Sequence, residues 1–296
     1  MVAVAAQLPA QEQRRRVGLP GVFVFWHFLS LDAPTVAVVW ALSFARALGL
    51  DLSPAAIGVL GVGTWMIYVT DRLLDARWGV DSELRERHFF HADHRRAFGA
   101  GLVVAGLVLA WLIAVMPWQA RRADSILFAA SMLYFAAAHF PAVRFRRRSA
   151  RQVAVGVLFA CATAVPAWSQ APIRGALLVP AILFAALCCL NCVAIEAWER
   201  QEGPRRGFSP RALAIGVALM SIASCFLPQM RTPGEIRLAA AVLSSSLFLL
   251  VLDELKRRFT ERRTGPAAAS HFLLALRIAA DVALLTPALL VIPWRP

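Results

Sequence analysis

The chain has 296 residues, of which 59% are hydrophobic, and its mean hydropathy is +0.62. Soluble domains average about 45–50% apolar residues, so this composition indicates several passages through a lipid bilayer. The net charge of +13 would suit nucleic acid, but the basic residues lie between apolar segments rather than along one face, which argues against that partner. We expect neither a secretory signal peptide nor a disulfide framework.

Nine apolar segments are long enough to cross the hydrocarbon core, which needs roughly 17–25 residues. They cover residues 33–50, 54–74, 97–116, 124–141, 152–169, 175–197, 210–228, 236–253 and 272–293. Residues 1–31 before them are expected to form a cytoplasmic or interfacial segment. We therefore predict an all-α membrane protein with about nine transmembrane helices, forming one domain over residues 1–296.

The charge of the loops predicts the orientation of these helices. Twenty-two Lys and Arg residues flank the apolar segments on the side of the N-terminus, and seven lie on the opposite side. Because Lys and Arg favour the cytoplasmic side, the N-terminus is predicted in the cytoplasm and the C-terminus outside. Residues 76–96 and 198–210 then form cytoplasmic loops, and the composition favours a bacterial inner membrane.

The second segment ends in a pair of acids, within the stretch MIYVTDRLLDAR. Asp71 and Asp75 lie four residues apart, which on a helix places both carboxylates on one face, about 6 Å from each other. Mg²⁺ is often held by one or two carboxylates together with substrate phosphates, so the pair is a candidate metal site. The alternative is an ordinary interfacial helix end, in which Arg72 and Arg77 neutralise the acids.

The sixth segment ends in a second acidic cluster, within CCLNCVAIEAWERQEG. Asn191 lies inside an apolar segment, where a polar residue is usually buried and often functional. Glu196 and Glu199 follow at the end of the segment, on the same predicted side of the membrane as the first pair. Two acidic helix ends on one side suit two cations around one diphosphate, although the two glutamates could simply be solvated.

A diphosphate also needs cationic donors, and arginine forks match phosphate oxygens. The end of the second segment and the loops on the predicted cytoplasmic side supply them close to the acids. The candidate diphosphate-binding residues are Arg72, Arg87, His88, His91, Arg144, Arg146 and Arg200. The alternative for the arginines is ordinary topology signalling or contact with anionic lipid.

Two further features have a simpler interpretation. Asp32 and Pro34 are typical of a helix start, since Asp can cap a helix and Pro is tolerated in its first turn. Arg277 and Asp281 lie four residues apart in the last segment. We expect them to form an intramembrane ion pair, with a pocket-lining role as the alternative.

Together these motifs resemble the UbiA superfamily of intramembrane prenyltransferases. That family has nine helices and Asp-rich motifs at the cytoplasmic ends of helices two and six. The stretch IYVTDRLLD matches the last two acids of the first motif, whereas Ile67 and Tyr68 stand where Asn and Asp are expected. NCVAIEAWER is similar to the second motif, and LDAPT and FPAVRFRRRSARQVAVG are weaker matches, so the resemblance covers nearly the whole chain.

The resemblance implies a prenyltransferase that moves an isoprenyl group from its diphosphate to a lipophilic acceptor. It implies Mg²⁺ as cofactor, with Asp71, Asp75, Glu196 and Glu199 as metal ligands and Asn191 as a further catalytic residue. The metal and the arginines stabilise charge that grows on the diphosphate, and apolar helices shield the carbocation from water.

Two other functions stay open at this point. A terpene cyclase of the same fold would ionise the same kind of diphosphate but capture the cation within its own chain, without an acceptor. A non-catalytic membrane protein or a small-anion transporter would use the same basic face for another purpose. Transporters often have helices broken near the membrane midplane. Here the charges gather at one face instead, except for Arg277 and Asp281.

Overall fold

The computed structural model describes residues 21–78, 86–139, 148–171, 174–199, 208–230, 232–261 and 266–293, and its regular secondary structure there is entirely helical. A short 3₁₀ helix, Arg174–Leu177, precedes α8. The α-helices are α1 (Gly21–Phe28), α2 (Asp32–Ala47), α3 (Pro54–Trp78), α4 (Glu86–Asp93), α5 (Arg95–Val115), α6 (Trp118–His139), α7 (Arg148–Trp168), α8 (Leu178–Glu199), α9 (Pro210–Ser224), α10 (Pro233–Glu261), α11 (Pro266–Ala283) and α12 (Pro287–Leu290).

Six stretches of helix are long and apolar enough to cross a membrane. They are Pro54–Arg77, Arg95–Val115, Ala150–Trp168, Gly175–Glu199, Pro233–Glu261 and Ala269–Leu290. Within α5, Phe98 is the one buried residue, and Leu107 and Trp111 are 69% and 64% exposed. A helix so apolar and so little covered by protein faces lipid. The chain is therefore an all-α integral membrane protein.

The predicted count of nine spans is not supported by the described residues, although each predicted segment overlaps a helix. Helices α2 and α9 have 16 and 15 residues, which is short of the roughly 17–25 that a span needs. Helix α6 carries Arg121, Arg122 and Asp124 near its start and is not among the six. Helices α1 and α2 count as a seventh span only if the 92° bend between them is accepted within one span.

An aromatic cluster lies at the centre of the bundle. Trp40 of α2 stacks on Phe184 of α8 with ring centroids 4.1 Å apart, and Phe44 meets the same ring edge-on. The indole Nε1 of Trp40 donates to the carbonyl of Leu284, just after α11, at 2.8 Å. All three rings are fully buried. Helices α2 and α8 and the end of α11 are thus fixed against each other.

Helices α7 and α8 approach each other closely at Gly156. A Cβ atom on Gly156 would lie 2.5 Å from Cys189 Sγ and 2.8 Å from the Cys189 backbone nitrogen. Neither distance leaves room for a side chain, so glycine is required for this contact. The close approach brings the first turn of α7 to the last turns of α8, where Glu196 and Glu199 lie.

A sharp corner joins α1 to α2. Its residue Ser30 has a positive φ of 58°, which is uncommon for a residue other than glycine. Trp65 of α3 donates from Nε1 to the carbonyl of Leu29 at 3.0 Å, and Ser30 contacts His91 of α4. The corner is therefore held by α3 and α4, near the end of α3 that carries the first acid pair.

Candidate functional site

The short helix α4 contacts both acid-bearing helix ends. Arg87 donates from Nη1 to Glu199 at the end of α8, at 3.3 Å. The next residue, His88, has its Nε2 3.9 Å from an Asp75 oxygen at the end of α3. Two consecutive side chains of α4 therefore reach the two predicted motifs.

The first turn of α7 contacts the same two ends from another side. Arg151 Nη2 lies 3.9 Å from Asp71 Oδ1, and Gln152 donates to the carboxylate of Glu196. Arg151 also donates from Nε to the hydroxyl of Tyr134 at 3.2 Å. Arg151 is not among the predicted site residues, because nothing in its spacing shows that it faces Asp71. Helices α4 and α7 thus join the two acidic helix ends.

The first acid pair is accessible from outside the protein. The side chains of Asp71 and Asp75 are each 31% exposed. Among the described residues, Asp71, Asp75, Glu196 and Glu199 do not bring three ligand atoms within 4.8 Å of one another. A metal on the first pair would therefore need oxygens from water or a substrate, as Mg²⁺ commonly has.

The charges of Arg87 and His88 follow from their burial. Burial, reinforced by the charge of Arg87, lowers the pKa of His88 to about 3, so this imidazole is neutral at pH 7 and does not neutralise Asp75. Burial also lowers the pKa of Arg87 to about 10, against the opposing charge of Glu199. Arg87 therefore stays positively charged at neutral pH.

The second acidic end is bound by two arginines. Arg277 of α11 donates from Nη1 to Glu199 Oε1, the oxygen that also accepts from Arg87. The Nε of Arg277 is buried and makes no hydrogen bond within the described part of the chain. Two guanidinium groups therefore share one oxygen of the Glu199 carboxylate.

The two ends therefore present different groups. At the end of α3, Asp71 and Asp75 are partly exposed carboxylates, with Arg151 3.9 Å from Asp71 and a neutral His88 3.9 Å from Asp75. At the end of α8, Arg87 and Arg277 both bind the carboxylate of Glu199. Carboxylate oxygens can bind a cation, and guanidinium groups can bind an anion.

Two predicted diphosphate ligands, Arg72 and His91, are instead engaged within the protein. Arg72 is 4% exposed and donates to the His27 carbonyl at 2.9 Å, to Ser30 Oγ at 2.7 Å and to Asp32 Oδ2 at 3.2 Å. His91 is fully buried, with Nε2 at 3.0 Å from Ser30 Oγ and Nδ1 at 2.8 Å from the Arg87 carbonyl. Burial also lowers the pKa of His91 to about 4. Both side chains fix the corner between α1 and α2.

A second polar cluster was not predicted from the sequence. Ligand-type atoms of His27, Asp32 and Asp281 lie within 4.8 Å of one another, which is compatible with a metal ion. However, Asp32 already accepts from His27 at 2.8 Å and from Arg72 at 3.2 Å. The guanidinium charge of Arg72 opposes a cation there, so we interpret the cluster as a buried hydrogen-bonded charge network.

Two sequence-based interpretations are corrected by this network. Arg277 and Asp281 do not pair with each other: Arg277 bonds Glu199, whereas Asp281 accepts from Asn191 Nδ2 at 3.4 Å. Both residues bind partners on neighbouring helices, although their spacing of four residues would allow them to pair with each other. Asp32 is more than a helix start, because its second oxygen binds His27 and Arg72 while Oδ1 accepts from the Ala33 backbone.

Asn191, predicted as a catalytic residue, lies beside this network. Its Nδ2 donates to Asp281 at 3.4 Å, and its buried Oδ1 finds no hydrogen-bond partner among the described residues.

The remaining predicted site residues, Arg144, Arg146 and Arg200, lie outside the described side chains.

Comparison of the chain with protein-family models, with curated proteins and with solved structures gives no match.

Proposed function

We propose that this protein is a UbiA-like intramembrane prenyltransferase that moves an isoprenyl group from its diphosphate to a lipophilic acceptor. The observation that carries the proposal is that partly exposed carboxylates and two arginines lie at helix ends joined by α4. Asp71 and Asp75 can bind a cation, Arg87 and Arg277 can bind phosphate oxygens, and consecutive residues of α4 reach Asp75 and Glu199. A metal diphosphate carries both a cation and an anion, and the apolar helices can surround its isoprenyl tail.

Asp71 and Asp75 fit Mg²⁺ by the chemistry of their donors, since both are partly exposed carboxylates on one helix face. When bound there, Mg²⁺ would neutralise charge on the diphosphate. Arg87 stays protonated and supplies donors to phosphate oxygens, which stabilises the leaving group as the allylic C–O bond breaks. The apolar helices exclude water from the carbocation until the acceptor bonds to it.

The finer topology belongs to the same proposal. About nine membrane passages, a cytoplasmic N-terminus and an external C-terminus would place both acidic helix ends on the cytoplasmic face of a bacterial inner membrane. The 92° corner supports an interfacial α1, since Val22 is 67% exposed and apolar. The corner lies beside α4, where Ser30 contacts His91.

The test uses the purified full chain in lipid nanodiscs with C10 to C20 isoprenyl diphosphates. We expect release of pyrophosphate that requires Mg²⁺ and stops when a chelator is added. Absence of release with every chain length, with bacterial lipid extract as the acceptor source, would contradict the proposal. Product analysis without acceptor separates the two enzyme classes, because a cyclic hydrocarbon or alcohol formed from the diphosphate alone indicates a terpene cyclase.

A further inference from the structure

The carboxylate of Glu199 lies between arginines from two distant parts of the chain. Arg87 belongs to the short helix α4, and Arg277 belongs to α11, 190 positions later in the numbering. Both donate to the same oxygen, Oε1. The side chains of Arg87, Arg277 and Glu199 are 14%, 17% and 22% exposed, so the group is mostly shielded from solvent.

This group is not balanced in hydrogen bonding. Both guanidinium groups donate to one carboxylate oxygen, and the buried Nε of Arg277 has no acceptor among the described residues. Asp281, one turn further along α11, does not supply one, because it lies beside Asn191 and His27. A buried donor without an acceptor is costly.

We infer that Arg277 and Arg87 form a phosphate-binding site, and that Glu199 is its resident counter-ion rather than a metal ligand. A phosphate group offers several acceptor oxygens and more negative charge than a carboxylate, so it can satisfy both guanidinium groups and the Nε of Arg277. Glu199 then competes with the incoming anion for the arginines. This inference deepens the proposed function, since it names Arg277 as a ligand of the diphosphate.

Phosphate at this site could come from an isoprenyl diphosphate, from free pyrophosphate or from an anionic lipid headgroup. The three share the chemistry that the arginines recognise. The isoprenyl diphosphate is distinguished by requiring the apolar interior as well as the arginines. Lipid headgroups are distinguished by their dependence on bilayer composition.

The experiment measures pyrophosphate binding by calorimetry to the full chain in phosphatidylcholine nanodiscs, with a chelator present so that no metal contributes. We expect Glu199→Gln to bind pyrophosphate about tenfold more tightly than the wild type, because the competing charge is removed, and Arg277→Gln about tenfold more weakly. The matched control is Glu254→Gln, which makes the same charge change at a partly exposed site where Glu254 pairs with Arg257 and Arg258. It should change the affinity by less than about threefold.

Unchanged or weaker binding by Glu199→Gln, or unchanged binding by Arg277→Gln, would overturn the inference. If Glu199→Gln is unstable, Arg277→Lys is the deciding variant, since lysine keeps the positive charge but lacks the paired donors of the guanidinium group. We expect Arg277→Lys to bind pyrophosphate with an affinity between those of the wild type and Arg277→Gln. Wild-type affinity in Arg277→Lys would contradict the site. Repeating the titration with geranyl diphosphate and with phosphatidylglycerol nanodiscs identifies the source of the phosphate. Anion binding without turnover would contradict the proposed function but would still support this phosphate-binding site.

Discussion

The two acidic helix ends resemble each other in sequence but have different partners in the fold. At the end of α3, Asp71 and Asp75 contact Arg151 and a neutral His88 at 3.9 Å. At the end of α8, Glu199 is held by two arginines. Carboxylates at similar spacing can therefore serve different ligands. Their partners on other helices decide whether the site favours a cation or an anion.

The largest effect is expected at the end of α3. Replacing Asp71 or Asp75 by Asn removes a carboxylate that would hold Mg²⁺ and should lower Mg²⁺-dependent pyrophosphate release by at least about 100-fold. The measurement is the initial rate in nanodiscs at saturating isoprenyl diphosphate. The matched control is Glu254→Gln, which makes the same charge change at a partly exposed surface site where Glu254 pairs with Arg257 and Arg258. Full activity in both Asp variants would exclude a metal role for this pair.

Arg72 lies between the two aspartates in the sequence but faces the buried network instead. Arg72→Gln leaves Asp32 without its guanidinium partner and should lower the free energy of unfolding by about 3–5 kcal/mol. Thermal unfolding in detergent measures the loss. The exposed Arg95→Gln should change stability by less than about 0.5 kcal/mol. A stable Arg72→Gln protein with weakened diphosphate binding would restore the sequence-based role of Arg72.

His91 couples α4, which lies between the two acidic ends, to the corner at Ser30. Its pKa is about 4 in the folded protein and 6.5 ordinarily, so the unfolded chain binds more protons between these values. The folded state is therefore destabilised as pH falls from about 6.5 towards 4. His91→Gln removes this contribution, so the stability difference between wild type and variant should shrink on going from pH 7 to pH 4.5. A constant difference in melting temperature would contradict the buried neutral histidine.

The smallest effect is expected where α7 and α8 touch, at the contact that aligns Gln152 with Glu196. Gly156→Ala places a methyl group against Cys189 and should cost about 1–3 kcal/mol of stability. Gly216→Ala on α9 meets nothing within 4 Å and should gain about 0.5–1 kcal/mol through helix propensity. Denaturation of both variants in the same detergent compares the two positions. Equal stability of both variants would argue against the close helix contact.

The helices themselves were largely predictable from the sequence, because apolar length alone specifies a membrane segment. The number of spans could not be predicted in this way, since α2 and α9 end after 16 and 15 residues. The start of α2 at Asp32 was predicted from Asp32 and Pro34, but the 92° bend before it was not. The bend depends on Ser30 in a left-handed conformation, held by side chains of α3 and α4 that are far away in the sequence.

The partners of the charged residues could not be predicted from spacing within one helix. Spacing predicted that Arg277 pairs with Asp281, and Arg72 was a candidate phosphate ligand. In the fold Arg277 reaches Glu199 and Arg72 reaches Asp32. These contacts join residues 78 and 40 positions apart. A buried charge pairs with a partner that is close in space, and the periodicity of one helix gives no information about residues on other helices.

The most direct test of the contrast between the two helix ends is the affinity for Mn²⁺, used as a paramagnetic substitute for Mg²⁺ and followed by electron paramagnetic resonance. The wild type is compared with Asp75→Asn and Glu199→Gln in the same nanodiscs. We predict that Asp75→Asn weakens Mn²⁺ binding by at least about tenfold and that Glu199→Gln leaves it within about threefold. Loss of Mn²⁺ binding in Glu199→Gln, with wild-type binding in Asp75→Asn, would contradict the account.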